Sequence, residues 1–134
     1  MSHTQDLAAF LADLNYEQIP GSVLDRTEDL FLDWIGSALA SQNARPIPLF
    51  ERYAQRMGPA TGKARILVSG RNTSPYFAAL VNGASSHLVE QDDLHNSSVL
   101  HPATVVFSAV LAAAQDLSKS GKDLLLASVA GYEA

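Results

Sequence analysis

The chain has 134 residues, 47% hydrophobic and 17% charged, which suits one folded domain and excludes a disordered sequence. Its net charge of -5, with only 9 Lys and Arg, excludes the basic stripe that a nucleic-acid backbone requires. With no cysteine, it can form no disulfide and can ligate no thiolate zinc or iron–sulfur cluster.

The N-terminal run MSHTQDLAAFLADL has no basic region followed by a sustained apolar core, so it reads as neither a signal peptide nor a membrane span. A cytoplasmic location without membrane contact is the default expectation. Thr4 is placed to cap a first helix, whose apolar residues Leu7, Phe10, Leu11 and Leu14 recur at helical spacing. A break is predicted at Asn15 to Gly21, with Pro20 suited to the first turn of the next helix. In that second helix Val23, Leu24, Thr27, Leu30, Phe31, Trp34, Ile35 and Ala38 form a stripe at steps of three and four, opposite Asp25, Arg26, Glu28, Asp29 and Asp33. This pattern makes Phe31 and Trp34 core residues rather than a cofactor box.

A polar turn at Ser41 to Arg45 precedes a short helix over Pro46 to Met57 and a loop over Pro59 to Lys63. Arg65 to Val68 reads as one short strand, closed by Ser69-Gly70. Ser74 to His87 returns to helix, with Ser74 at the cap and Pro75 at the first position. The helix that opens at Pro102 is apolar nearly all round, from Val105 to Ala114. A helix without a wet face must be surrounded. It is therefore predicted to lie at the centre of a helical domain, covered by further chain or a second subunit, with exposed apolar patches on these residues alone. Lys122 to Ala134 is apolar and helical in pattern but lacks a terminating Gly, Asn or basic last turn, which reads as a truncated chain. The expected class is mostly all-α, with at most one short strand or hairpin near 65–68 and no fixed-period repeat.

The segment Asn82 to Pro102, NGASSHLVEQDDLHNSSVLHP, gathers His87, His95 and His101 with Glu90, Asp92 and Asp93 between two helices. Such a cluster is costly to desolvate unless its members pair, bind a ligand or stay wet. A solvated interhelical loop is one reading and a reactive site is the other. His101 precedes the Pro102 helix, where the N–H groups of Ala103 and Thr104 favour an anion such as a substrate carboxylate. A histidine that merely caps the turn is the alternative. Three carboxylates would repel an anionic substrate unless some are paired. His87 is spaced to orient Glu90, and His95 to neutralise one of the aspartates. Asp92 and Asp93 could instead hold the loop by accepting backbone N–H bonds. Glu90, Asp93, His95 and His101 also have the atom types of a zinc, manganese or iron site, although their spacing matches no helix-face motif such as His-Glu-x-x-His.

The order Asn82-Gly83, His87, Glu90-Gln91-Asp92-Asp93, then His101-Pro102 opening an apolar helix resembles the MmgE/PrpD family of 2-methylcitrate dehydratase and its relatives. The resemblance extends to Ile19-Pro20, to Leu32 to Gly36 and to Gly131-Tyr132-Glu133, nearly the whole chain. There are two departures: Glu90 stands where the family commonly has Asp, and Leu94 where it has Thr. The resemblance implies that residues 1–134 are the N-terminal portion of a helical domain, without its remainder or a second, α+β domain. It implies a cofactor-independent, metal-free lyase for a small polycarboxylate, homodimeric in full-length form. Dehydration of 2-methylcitrate leads, with cis-aconitate decarboxylation and iminodisuccinate epimerisation as alternatives. By the same resemblance His101 is the acid or base, and Glu90 orients it or shares its proton. His95, Asn96, Ser98 and Asp93 bind substrate, His87, Asp92 and Asn82 support them, and further basic residues lie beyond residue 134. A catalytically inactive helical fragment or assembly module is the competing reading of the isolated chain.

Overall fold

A computed structural model describes residues 2–134. Six α-helices and one small sheet follow in the order α1 (His3–Asp13), a 3-10 turn (Tyr16–Gln18), α2 (Gly21–Ala40), α3 (Ile47–Met57), β1 (Ala64–Arg65), β2 (Asn72–Thr73), α4 (Pro75–His87), α5 (Pro102–Asp116) and α6 (Gly121–Glu133). The protein is mostly α, as its periodicity predicts.

Ser2, not Thr4, caps α1. Its Oγ accepts the Gln5 N–H at 3.4 Å, and Gln5 Oε1 accepts the Ser2 N–H at 3.0 Å. This reciprocal box needs an acceptor side chain three residues after the cap; Ser2 has Gln5 there, whereas Thr4 would have Leu7. No residue of α1 is buried, so its apolar stripe lies open among the described residues. Pro20 stands at the cap of α2, one place before the helical turn predicted for it.

The core has an aromatic centre. Trp34 and Phe107 are fully buried, with ring centroids 5.9 Å apart; Phe31 stacks on Trp34 at 5.6 Å, and Tyr132 packs tilted against Phe107 at 5.5 Å. Ala103, Leu30, Ile35, Leu111 and Leu67 complete the cluster, which joins α2, α5 and α6 with the segment after β1. A second cluster of Ile47, Ala54, Ile66, Val68 and Val81 seats α3 and the hairpin on α4.

The strand is shorter than predicted and has a partner. Ala64 pairs with Thr73 and Arg65 with Asn72 in an antiparallel ladder, and the chain leaves the ladder at Ile66. A turn with Gly70 at a φ of 70° returns it, the Gly70 N–H reaching the Ile66 carbonyl at 2.8 Å. The alternation Ala64, Ile66, Val68 still points inward, which is why the segment reads as a strand. Asn82 of α4 takes over as its partner. This fully buried amide accepts the Leu67 N–H at 2.8 Å and donates to the Arg65 carbonyl at 2.9 Å, supplying what a neighbouring strand would.

Helices α4 and α5 cross closely at Gly83, where the Thr104 hydroxyl donates to the Gly83 carbonyl at 3.3 Å and Ser86 Oγ meets Thr104 Oγ1. Helices α5 and α6 meet at Gly131, where a Cβ would lie 2.8 Å from Val106 Cγ1. One side of α5 is buried through Ala103, Phe107, Ser108 and Ala112, but Val105 on the other side is 57% exposed. Full enclosure of this helix is thus not reached within the described residues. An apolar groove of about 370 Å³ remains between α5 and α6, lined by Ala109, Val110, Ala113, Leu117, Leu124 and Ala127. Among the described residues no helix is long and apolar enough to cross a membrane.

Candidate active site at the start of α5

The path of the segment after α4 places the titratable groups. Helix α4 ends at His87, and Glu90 adopts a φ of 50° with its N–H on the His87 carbonyl at 3.0 Å. The chain then doubles back through a bridge between His95 and Leu100, whose N–H groups reach each other's carbonyls at 2.8 and 3.4 Å. His101 follows as the cap residue of α5.

Asp92 ends up beneath two imidazoles. Its side chain is 0% exposed, and Oδ2 lies 3.1 Å from His87 Nδ1 and 3.3 Å from His101 Nδ1. His87 is 49% exposed and His101 28%, and their ring centroids are 4.7 Å apart. An ionised carboxylate only accepts, so His87 donates its Nδ1–H to Asp92. His101 Nδ1 is buried and close enough for ionic contact, but it meets no hydrogen-bond geometry. Neither Nε2 has an intramolecular hydrogen bond among the described residues, so each ring keeps one nitrogen available beside the buried Asp92 carboxyl group.

Asp93 faces the other way. Oδ1 accepts the Ala103 N–H at 2.8 Å, and Oδ2 accepts the Tyr132 hydroxyl at 2.8 Å. Asp93 is thus itself an anion at the start of α5, and of the two N–H groups expected to receive a substrate carboxylate, those of Ala103 and Thr104, the Ala103 donor is already taken. This bears out the alternative that one aspartate holds the loop through backbone. Burial, followed by the hydrogen bond to Asp93 and that residue's charge, keeps the Tyr132 hydroxyl well above the usual tyrosine range, so it remains a donor. The sequence shows Tyr132 only as part of a motif; nothing in it links position 132 to 93.

The other predicted residues are placed as follows. Glu90 is exposed and makes no side-chain hydrogen bond or ion pair among the described residues, so His87 does not orient it here and bonds Asp92 instead. His95 does not neutralise an aspartate; its Nδ1 bonds Ser98 Oγ at 2.7 Å, with Ser97 Oγ 3.3 Å from its Nε2. Asn96 and Ser98 are exposed at the tip of the doubled-back loop. Asn82 lies on α4, occupied by the hairpin backbone. For a metal, the structure assembles a set different from Glu90, Asp93, His95 and His101: one atom each of His87, Asp92 and His101, all within 4.8 Å of one another. Two imidazole nitrogens and a carboxylate oxygen suit a zinc-class cation.

Residues 5–134 match the family model of the MmgE/PrpD N-terminal domain. The chain belongs to the MmgE/PrpD family. Among curated relatives of this MmgE/PrpD chain, the cis-aconitate decarboxylase of Aspergillus terreus is 34% identical over 137 residues, covering 97% of the chain and 27% of that protein. The cis-aconitate decarboxylase-like protein oryM of Aspergillus oryzae is 33% identical over 139 residues, covering 97% and 28%. The Homo sapiens cis-aconitate decarboxylase is 25% identical over 136 residues, covering 98% and 28%. The chain thus spans little more than a quarter of the length of these relatives.

Proposed function

We propose that the protein bearing this MmgE/PrpD domain is a lyase for a small tricarboxylate, with cis-aconitate decarboxylation ahead of 2-methylcitrate dehydration. The reading is carried by the pair His87, at the end of α4, and His101, at the cap of α5, whose Nδ1 atoms both lie against Asp92 Oδ2. The names of the similar proteins move decarboxylation to the front. Both reactions need a proton moved at a carbon next to a carboxylate. In dehydration a base removes that proton and an acid protonates the departing hydroxyl. In decarboxylation the carbon–carbon bond breaks, carbon dioxide leaves, and the remaining electron pair takes a proton at carbon. An imidazole held over a fixed carboxylate can serve either step.

His101 is assigned the proton transfer, and Glu90, at the rim of the loop, is its partner by family resemblance. His95, Asn96 and Ser98 face the substrate oxygens from the loop tip. Asp93 supports the α5 terminus, and cationic partners for the substrate come from elsewhere in the complete protein. Homodimerisation and a cytoplasmic location belong to the same reading. The test is an assay of the complete enzyme on cis-aconitate and on 2-methylcitrate. Carbon dioxide release from cis-aconitate supports the leading reaction, turnover of 2-methylcitrate alone selects dehydration, and inertness to both ends the proposal. His101→Ala is expected to lower turnover at least about a hundredfold, and an unchanged rate removes His101 from the mechanism. A second reading, a cation held by His87, Asp92 and His101, requires activity to vanish on chelation and return with the metal.

A further inference from the structure

We infer that Tyr132 is a positioning residue for His101: acting through Asp93, its hydroxyl fixes the first turn of α5 and hence the imidazole that precedes it. The inference rests on the proton-transfer reading of His101 above.

His101 does not secure itself. Its backbone is non-helical, at φ -99° and ψ 88°, and its side chain makes no capping bond to α5. The Ala103 N–H, two residues on, is instead taken by Asp93 Oδ1 at 2.8 Å, so this end of the helix is held from outside. Asp93 would be free to rotate away if that were its one bond. Its second oxygen is occupied by the Tyr132 hydroxyl at 2.8 Å, a charge-assisted bond from a different helix.

Tyr132 is a firm anchor because its ring packs at a tilt against Phe107 of α5, with centroids 5.5 Å apart. The neighbouring Gly131 lets α6 come close enough, since any side chain there would collide with Val106. Asp92 is the residue before Asp93, so one stretch of backbone sets both the carboxylate under the imidazoles and the clamp on α5. Loosening the clamp moves His101 relative to Asp92, and a displacement of about 1 Å at a reacting group can cost about a hundredfold in rate.

Tyr132→Phe in the complete enzyme keeps the ring and removes only the hydroxyl. Turnover is expected to fall about tenfold with KM changed by less than about twofold, since the loss falls on the transition state rather than on substrate binding. In an Asp93→Ala background the same change should have no further effect on kcat. Equal, additive losses in the two backgrounds would show that Tyr132 does not act through Asp93, and would overturn the inference. Hydrogen exchange provides a readout independent of turnover: Tyr132→Phe should speed exchange at the Ala103 amide and leave the later turns of α5 as they are. Unaltered exchange there overturns the clamp whatever the substrate proves to be. A wild-type enzyme inert to both tricarboxylates, with Ala103 exchange still dependent on Tyr132, overturns the assigned reaction and the kinetic role of Tyr132 and retains the clamp as structure.

Discussion

Glu90 holds a left-handed backbone, at a φ of 50°, without a glycine's freedom to do so. That conformation costs an L-residue about 1 kcal/mol, and the side chain recovers none of it through an intramolecular bond among the described residues. Strain of this kind persists where something else requires the residue. Exchanging Glu90 for Gly separates the two demands. The complete protein should keep its stability or gain up to about 1 kcal/mol in urea unfolding, while turnover falls if the carboxylate shares the His101 proton. Glu90→Gln should depress the rate equally without the gain in stability. A Gly variant that is active, or one that is less stable, would show that the carboxylate is needed for the fold or for nothing.

At the scale of elements, the helices are legible because apolar residues recur every three or four positions and prolines punctuate their starts at Pro20, Pro46, Pro75 and Pro102. The Arg65 to Val68 strand was half legible: alternation fixes which side chains turn inward, but not whether a ladder or the Asn82 amide takes the backbone bonds. The candidate site was legible as a composition and not as a set of pairs. Which aspartate meets which histidine depends on the left-handed residues Glu90 and Val99 and on the His95–Leu100 bridge, and no periodicity encodes that path. The Tyr132 bond to Asp93 spans 39 residues and had no local signal. Helix α6 shows the reverse case, a local device written in sequence: Ser120 and Asp123 cap each other in a reciprocal box. The backbone N–H of Ser120 and then its hydroxyl hold the Asp123 carboxyl below its ordinary value of 3.8. A carboxyl lowered on folding contributes stability above its unfolded value, and that contribution is lost as pH falls through the folded value. Thermal unfolding from pH 6 downward should therefore show a loss below about pH 4 that Asp123→Asn weakens. An identical pH profile for the variant would mean that the box does not act on stability.

On the scale of the whole molecule, the described residues enclose one side of α5 and leave the other open. Trp34, Phe107 and Tyr132 bind α2, α5 and α6 on one side of α5, while Val105 and the groove toward α6 stay open on the other. A chain that spans little more than a quarter of its relatives is expected to have this face met by further structure, as the all-round apolar character of α5 predicts. Val105→Lys tests this in the complete protein. On a wet helix face the change is nearly neutral, within about 0.5 kcal/mol. Against packed apolar neighbours the ammonium must be desolvated, and the loss should reach at least about 2 kcal/mol in urea unfolding. A neutral result would place the outer face of α5 in solvent and require another explanation for an apolar helix at the centre of the chain's proposed chemistry. A large loss would make α5 the buried axis on whose N-terminal turn His101 is carried, giving the imidazole the rigid support that proton transfer at carbon demands.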